Sequence, residues 1–454
     1  MNQTSTITAI CTPQGLGALG IIRISGADAI HIAQKIFSKN IENAKGNTIH
    51  FGNILREKEV IDEVLLSIFR APHSFTKEDI VEISCHGSPY ILEQVLQLIV
   101  ENGAELAQAG EFTKRAFLNG AMDLAQAEAV ADLIAAESAA AHKVALRQLK
   151  GGFSTELKAL REKLLNFVSL IELELDFAEE DVEFADRTQL KKLINSILIH
   201  IKQLISSFRL GNALKKGVPV AIVGKPNAGK STLLNALLGE EKAIVSHIPG
   251  TTRDVIEDSI SIEGILFRFM DTAGLRETED FVEKIGVERA LEKMKEAQII
   301  LFMYDAATES YPETLAIAHT FKVKHPETAL ILVANKVDLF SEFDIFPADD
   351  LLQCAISAKE NEGIAALKAM LLAAIGSEEL ATNDTILTNV RHVEALRQAE
   401  IALLTVLEGV EMGLTSDLVS IDIRTALHYI GSITGEINTE EILGNIFGKF
   451  CIGK

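Results

Sequence analysis

The sequence predicts a multidomain chain: an α+β domain at the N-terminus, a helical-bundle domain made of two separated stretches, and an α/β domain inserted between those stretches. Three observations carry this reading. Residues 1–120 mix short β-like runs with helical stretches, and from about 122 apolar residues step by three and four. From 217 strand–loop–helix alternation takes over, before helical texture returns near 380. The length agrees, since 454 residues exceed one ordinary domain, and a chain 48% hydrophobic and 24% charged can bury a sizeable core.

In the first stretch the runs TITAI, GIIRIS, VLLSIF and DIVEIS read as strands and PYILEQVLQLIV as a helix. Residues 121–215 supply the first part of the helical domain. Its stripes are Leu124, Ala127, Ala131 and Ile134; then Phe153, Leu157, Leu160, Leu164, Phe167 and Ile171; then Leu193, Ile197, Ile201, Leu204 and Phe208. Residues 216–377 form the α/β domain, with strands in VPVAIVG, ILFRFMD, QIILFMYD and ALILVANK. Residues 378–454 supply the second helical part, through Val393, Leu396, Leu403 and Leu407. The last helix is expected to start near Asn438, with Glu441 in capping-box position, and to run to about Gly448.

Composition narrows the function classes. No run of eighteen apolar residues predicts a membrane span, and MNQTSTITAI lacks the basic and apolar regions of a secretory signal. Cys11, Cys85, Cys354 and Cys451 are scattered and form no CxxC pair, which fits a reducing cytoplasm better than a disulfide framework or a zinc site. A net charge of −21 disfavours broad unassisted binding to nucleic-acid phosphates. Lys191, Lys192, Lys202, Arg209, Lys215 and Lys216 gather in one segment, which reads as a solvated helix face.

The chemistry lies in the inserted domain. GKPNAGKS, residues 224–231, matches the phosphate loop G-x-x-x-x-G-K-[ST], follows an apolar strand and opens a helix. Its glycines let backbone N–H groups approach phosphate oxygens, and the helix N-terminus adds a favourable dipole. Asn227, Ala228, Gly229, Lys230, Ser231 and Thr232 are the expected phosphate-side residues. Lys230 would bridge the β- and γ-phosphates, and Ser231 would be a ligand to Mg²⁺. Asp271 ends a strand and would hold that metal through water; Thr272, Ala273 and Gly274 follow, with the Gly274 amide sensing the γ-phosphate. In GTTRD, Thr252 is placed to complete the Mg²⁺ shell once the γ-phosphate orders its loop.

Base selection is expected from NKVD and SAK. Asp338 can accept two hydrogen bonds from guanine, a pattern adenine cannot match. Asn335 and Lys336 shape the loop and cover the base, and Ser357, Ala358 and Lys359 bring backbone amides near the guanine oxygen. In this order and spacing the motifs specify GTP rather than ATP. The predicted fold class is therefore an α+β N-terminal domain, a discontinuous helical bundle and an inserted α/β P-loop GTPase domain.

Leu275 follows DTAG, where many GTPases carry a glutamine that orients the attacking water. Two features offer a substitute. The Asn227 amide oxygen can help bind a monovalent cation beside the phosphates, neutralising charge as an arginine finger does. Glu283 can orient water after loop closure, although Glu277 and Glu279 are equally acidic neighbours.

The whole chain resembles the MnmE (TrmE) family of tRNA-modification GTPases. The residues that carry the likeness are the N-terminal GxGxxGIIRISG region, EFTKRAFLNG…DLAQAEAVADLI, GTTRD, DTAGLRE and the terminal FCIGK. The resemblance implies a homodimer whose G domains approach across the nucleotide, with potassium held by Asn227, Ser246, Thr251 and the carbonyl of Ile248, all on the GTP-binding side. It implies Glu283 as the catalytic glutamate acting through a bridging water. It also implies an N-terminal dimerisation domain that binds a 5-formyltetrahydrofolate-type one-carbon donor at Arg23, Glu82 and Lys454. The family commonly has a lysine where this chain has Ala121, so any contact there is limited to backbone. Cys451 becomes a candidate catalytic thiol, activated by Lys449 or Lys454.

The implied activity is modification of carbon five of the wobble uridine of certain tRNAs, in the cytoplasm, with the flavoprotein MnmG as partner. The competing reading is a regulatory switch GTPase of ribosome assembly that binds rRNA. That reading expects an appended RNA-binding module, and none is evident. His86, in CHGSP, reads as structural.

Overall fold

Alternation of apolar side chains builds the first sheet. A computed structural model describes residues 5–176, 187–240, 258–270, 297–340, 351–376, 385–437 and 439–453. The chain divides into two compact units, one of Met1–Ala131, Ser154–Ser169 and Ile423–Lys454, the other of Asp132–Phe153 and Leu170–Asp422.

In the first unit, strands β1 (Ile7–Ile10), β2 (Leu19–Ser25), β3 (Thr48–Arg56), β4 (Glu59–Phe69), β5 (Ile80–His86) and β6 (Glu105–Leu106) form one sheet in the order β3-β4-β5-β2-β1-β6. Neighbours run antiparallel except β1 and β6. Val64, Leu66 and Ile68 of β4 and Val81 and Ile83 of β5 point to one face, where helices α1 (Ala29–Ile36) and α2 (Pro89–Glu101) cover them. The other face leaves Ile49, Phe51 and Leu65 exposed and carries the register pair Arg23↔Glu82. Strand β3 is missing from the sequence reading because Gly52 interrupts its pattern. A Cβ there would lie 2.5 Å from the Phe37 ring, so the strand trades a side chain for close packing.

Helices α3 (Glu111–Leu118), α4 (Leu124–Ile134) and α13 (Glu440–Phe447) enclose a second small core of Leu124, Ala127, Leu443 and Phe447. Ile134, the last member of the predicted α4 stripe, is exposed. Helix α13 starts later than expected. Thr439 is its N-cap and accepts from the Ile442 N–H at 3.3 Å, so Glu441 stands one place short of the capping-box position.

In the second unit, β7 (Val218–Val223), β8 (Asp258–Ile262), β9 (Ile265–Phe269), β10 (Ile299–Asp305), β11 (Ala329–Asn335) and β12 (Leu352–Ile356) form a sheet ordered β12-β11-β10-β7-β9-β8. All neighbours are parallel except the edge pair β8–β9, which is antiparallel and was not anticipated. Strands buried on both faces read as continuous apolar runs, as IILFMY does. Helices α8 (Lys230–Glu240), α9 (Tyr311–Lys324) and α10 (Ile364–Ala374) belong to this layer.

Helices α6 (Gly152–Asp176), α7 (Arg187–Lys216) and α11 (Val390–Glu411) carry predicted stripes, whereas the sequence reading assigns none to α5 (Ala139–Leu149) and α12 (Ser416–Thr434). Phe153, Leu157, Leu164, Ile171, Ile197, Ile201 and Leu204 are all buried. Several basic residues of α7 end in ion pairs: Lys191 with Glu411, Lys202 with Glu400, and Lys215 with Asp132 at 2.7 Å. The segment is therefore largely neutralised by its own neighbours.

Candidate nucleotide site and the N-terminal polar site

The phosphate loop leaves the carboxyl end of β7, where the sheet order reverses: β8 and β9 lie on one side of β7 and β10 on the other. This is where doubly wound sheets bind ligands. Two backbone positions are in the left-handed region, Asn227 at φ +67° and Gly229 at φ +96°. Gly224 and Gly229 are also sterically required, since a Cβ would lie 2.1 Å from the Met303 carbonyl in one case and 2.2 Å from Asn335 Nδ2 in the other.

Asn335 ties the phosphate loop to the SAK loop. It is buried at the end of β11, and its Nδ2 donates to Ala228 O at 2.8 Å while its Oδ1 accepts from Ala358 N at 3.0 Å. The phosphate loop and the SAK loop are thus held by one side chain. Ser357 is fully buried, exchanges backbone hydrogen bonds with Glu362 and accepts from Glu360 N through its hydroxyl at 3.2 Å.

Lys336 also has positive φ, at +67°, and its ammonium donates to Asp305 Oδ2 at 2.7 Å. Asp305 ends β10 and escaped the sequence reading. The strand-end carboxylate in QIILFMYD was the available signal. Burial alone would raise its pKa, but hydrogen bonds from Lys336, Ala307 and Thr308 outweigh it and hold the carboxyl below the usual range. Asp338 sits in a 3₁₀ turn, Val337–Leu339, and is exposed. Lys359, fully exposed, pairs with Glu360 at 3.0 Å, a contact that raises its pKa.

Lys230 opens α8, and its ammonium rests on the carbonyls of Gly224 and Lys225, at 2.8 Å each. Desolvation by burial pulls its pKa down, against the attraction of Glu309. Ser231 and Thr232 are exposed on the first turn of α8, and Asn227 is exposed on the loop. Ser246, Ile248, Thr251, Thr252, Asp271, Thr272, Ala273, Gly274, Leu275 and Glu283 lie outside the described residues.

In the first unit Arg23 and Glu82 face each other. Arg23 Nε and Nη2 approach Glu82 Oε1 at 2.9 and 2.7 Å. The Arg23 guanidinium also lies 5.4 Å from the ring centroids of both Phe75 and Phe112, two aromatics the sequence reading missed. Ala121 follows α3, with its side chain exposed and its N–H donating to Ala116 O at 2.8 Å.

The chain end belongs to this unit. Gly110 N donates to Cys451 O at 3.4 Å, and the Cys11 thiol donates to Gly453 O at 3.2 Å. Cys451 is exposed, and Lys454 lies outside the described residues. His86 Nδ1 lies 2.7 Å from the buried Asp62 carboxylate, which also accepts the His86 N–H; the ring itself is two-thirds exposed.

Known proteins share both parts. A family model described as the MnmE helical domain matches residues 124–451, and one described as the GTP-binding protein TrmE N-terminus matches residues 6–121. A protein of Cytophaga hutchinsonii is 53% identical over 457 positions, covering 100% of this chain and 98% of its own length. Relatives from Flavobacterium johnsoniae and Bacteroides thetaiotaomicron are 50% and 52% identical, with complete coverage of both chains in each case. All three bear the name tRNA modification GTPase MnmE. With a phosphate loop joined through Asn335 to the SAK loop, and with identity of this extent, the chain is a GTP hydrolase and belongs to the MnmE family of tRNA modification GTPases.

Proposed function

We propose that this GTPase depends on potassium and, with the flavoprotein MnmG, modifies carbon five of the wobble uridine of certain tRNAs, using a formyl-tetrahydrofolate-type one-carbon donor. The observation that carries the nucleotide half is the double hydrogen bond of Asn335, which couples the phosphate loop to the base-reading loop. The tRNA half rests on the relatives' shared name over full length. In this reading residues 216–377 are a G domain inserted in a helical domain whose parts are 121–215 and 378–454, and residues 1–120 dimerise. The protein works as a cytoplasmic homodimer. Among the described residues no helix is long and apolar enough to cross a membrane.

The described residues suit the implied groups. The exposed Ser231 hydroxyl on the first turn of α8 fits one position of Mg²⁺, with Thr252 and Asp271 as its companions. Asn227 fits potassium: its amide makes no hydrogen bond among the described residues and stands exposed beside the phosphate loop. Ser246, Thr251 and the Ile248 carbonyl complete that set. The cation offsets charge developing on the phosphates, and Glu283 orients the attacking water, which replaces the glutamine absent at Leu275. Glu82 suits the amino-pyrimidine edge of a pterin, and Arg23 and Lys454 suit anionic parts of the folate. Cys451 acts as the thiol of the uridine chemistry.

Steady-state GTP hydrolysis in KCl and in NaCl tests the cation. The rate in KCl is expected to be far higher, and Glu283→Ala is expected to abolish it with GTP affinity kept; equal rates in the two salts refute the potassium reading. Mass analysis of tRNA nucleosides from cells lacking the protein tests the substrate. Unchanged wobble uridines would rule the modification out.

A further inference from the structure

We propose that Lys77 is a ligand-binding residue of the N-terminal polar site, where its ammonium meets a carboxylate of the folate-type compound. This rests on the folate reading above. Lys77 lies in the loop between β4 and β5, two residues after Phe75, whose ring lies against Arg23. Its Nζ donates to the carbonyl of Gly120 at 2.6 Å, beside Ala121 at the end of α3.

Charge accounting isolates this lysine. The neighbouring acids are already engaged: Glu82 with Arg23, Glu78 and Glu111 with Arg115, and Asp79 with Arg70. Among the described residues no carboxylate lies within ion-pair distance of Lys77. An ammonium has three donors, and one carbonyl uses one of them. A positive charge held at a fixed point with donors to spare matches an anionic oxygen brought by a ligand.

The backbone supports the same conclusion. Lys77 has φ +60°, a region where a lysine costs about 1 kcal/mol or more and glycine costs nothing. The loop is locked there from both sides. Asn119 Nδ2 donates to Thr76 O at 2.7 Å, and the hydroxyls of Thr76 and Ser25 lie 2.7 Å apart. A strained position with an unneutralised cation, two residues from the ring that flanks Arg23 and bonded to Gly120, belongs to the same site as the Arg23–Glu82 pair. That pair suits the pterin end, which leaves Lys77 for the glutamate end of the molecule.

Titration calorimetry of the full-length protein with 5-formyltetrahydrofolate tests this. Lys77→Gly removes the ammonium and relieves the backbone, so the fold is kept. Its affinity is expected to fall about tenfold, the worth of one charge-assisted hydrogen bond. Adding Ala121→Lys to that variant supplies an ammonium from the exposed residue next to Gly120 and is expected to recover most of the loss. The same compound without its glutamate should bind wild type and Lys77→Gly alike. Unchanged affinity for the intact compound in Lys77→Gly overturns the proposal, as does equal weakening for both compounds. Failure of the wild type to bind 5-formyltetrahydrofolate overturns the folate reading itself.

Discussion

The side-chain amide of Asn335 donates to the carbonyl of Ala228 at 2.8 Å, across 107 residues of chain. The same amide accepts from Ala358 N, so one buried residue fixes the spacing between the phosphate loop and the SAK loop. Asn335→Ala leaves both backbone groups unpaired in a buried place, at a cost of about 2 kcal/mol or more. Urea unfolding should show that loss, and GTP affinity should fall with it. Asn335→Asp separates the two bonds, because a carboxylate can accept from Ala358 but cannot donate to Ala228. Its affinity is expected to lie nearer the alanine variant than the wild type.

Lys230 trades stability for phosphate binding. Burial lowers its pKa, so between the lowered value and the ordinary lysine value the unfolded chain binds more protons. Stability therefore rises with pH through that window, and the full penalty is present below it. Lys230→Met removes the charge that burial penalises. Without nucleotide this variant is expected to unfold at equal or higher urea than wild type at pH 7, while GTP binding is lost. A variant that lost stability as well would show that the contacts to the Gly224 and Lys225 carbonyls outweigh desolvation.

What could be read beforehand follows a physical division. The phosphate loop was legible because its geometry admits few residues: Gly229 has no room for a Cβ, and the lysine and hydroxyl have fixed places in its pattern. The helix stripes were legible because burial imposes a period. The Asp305–Lys336 pair, the Phe75 and Phe112 rings around Arg23, and the Cys11–Gly453 contact were not. Each joins residues far apart in sequence, and only the tertiary fold creates their neighbourhood. Strand β8 was hidden because DSISI is short and half polar.

The Asp305–Lys336 pair sets an acid limit on the loop that carries Asp338. The carboxyl is held below its ordinary value, so its contribution is fully present above the unfolded value of about 3.9 and is lost as pH falls through the depressed folded value. Lys336→Met removes the ammonium that does most to lower it and leaves only the Ala307 and Thr308 hydrogen bonds to oppose burial. The acid transition, followed by circular dichroism, is expected to move to higher pH in the variant. An unmoved transition would mean that the Ala307 and Thr308 hydrogen bonds suffice.

The chain end is seated by a glycine rather than by a large side chain. Gly453 has φ +95°, and a Cβ there would lie 2.5 Å from the Ile10 carbonyl and 3.1 Å from Cys11 Cα. Gly453→Ala therefore cannot keep this contact, and the Cys11 thiol loses its acceptor at 3.2 Å. The four thiols report the event without any assay of activity. Cys451 is exposed and should react first with iodoacetamide. Burial pushes Cys85 up to about 11, with the charge of Asp62 adding to it, and burial alone does the same to Cys354, so both should resist until the chain unfolds. Cys11, half-buried under the chain end, should be slow in wild type and several-fold faster in Gly453→Ala. The rate at Cys451 should stay as it was, because its thiol is already in solvent. If Cys11 reacts no faster in the variant, the contact with Gly453 does not protect it.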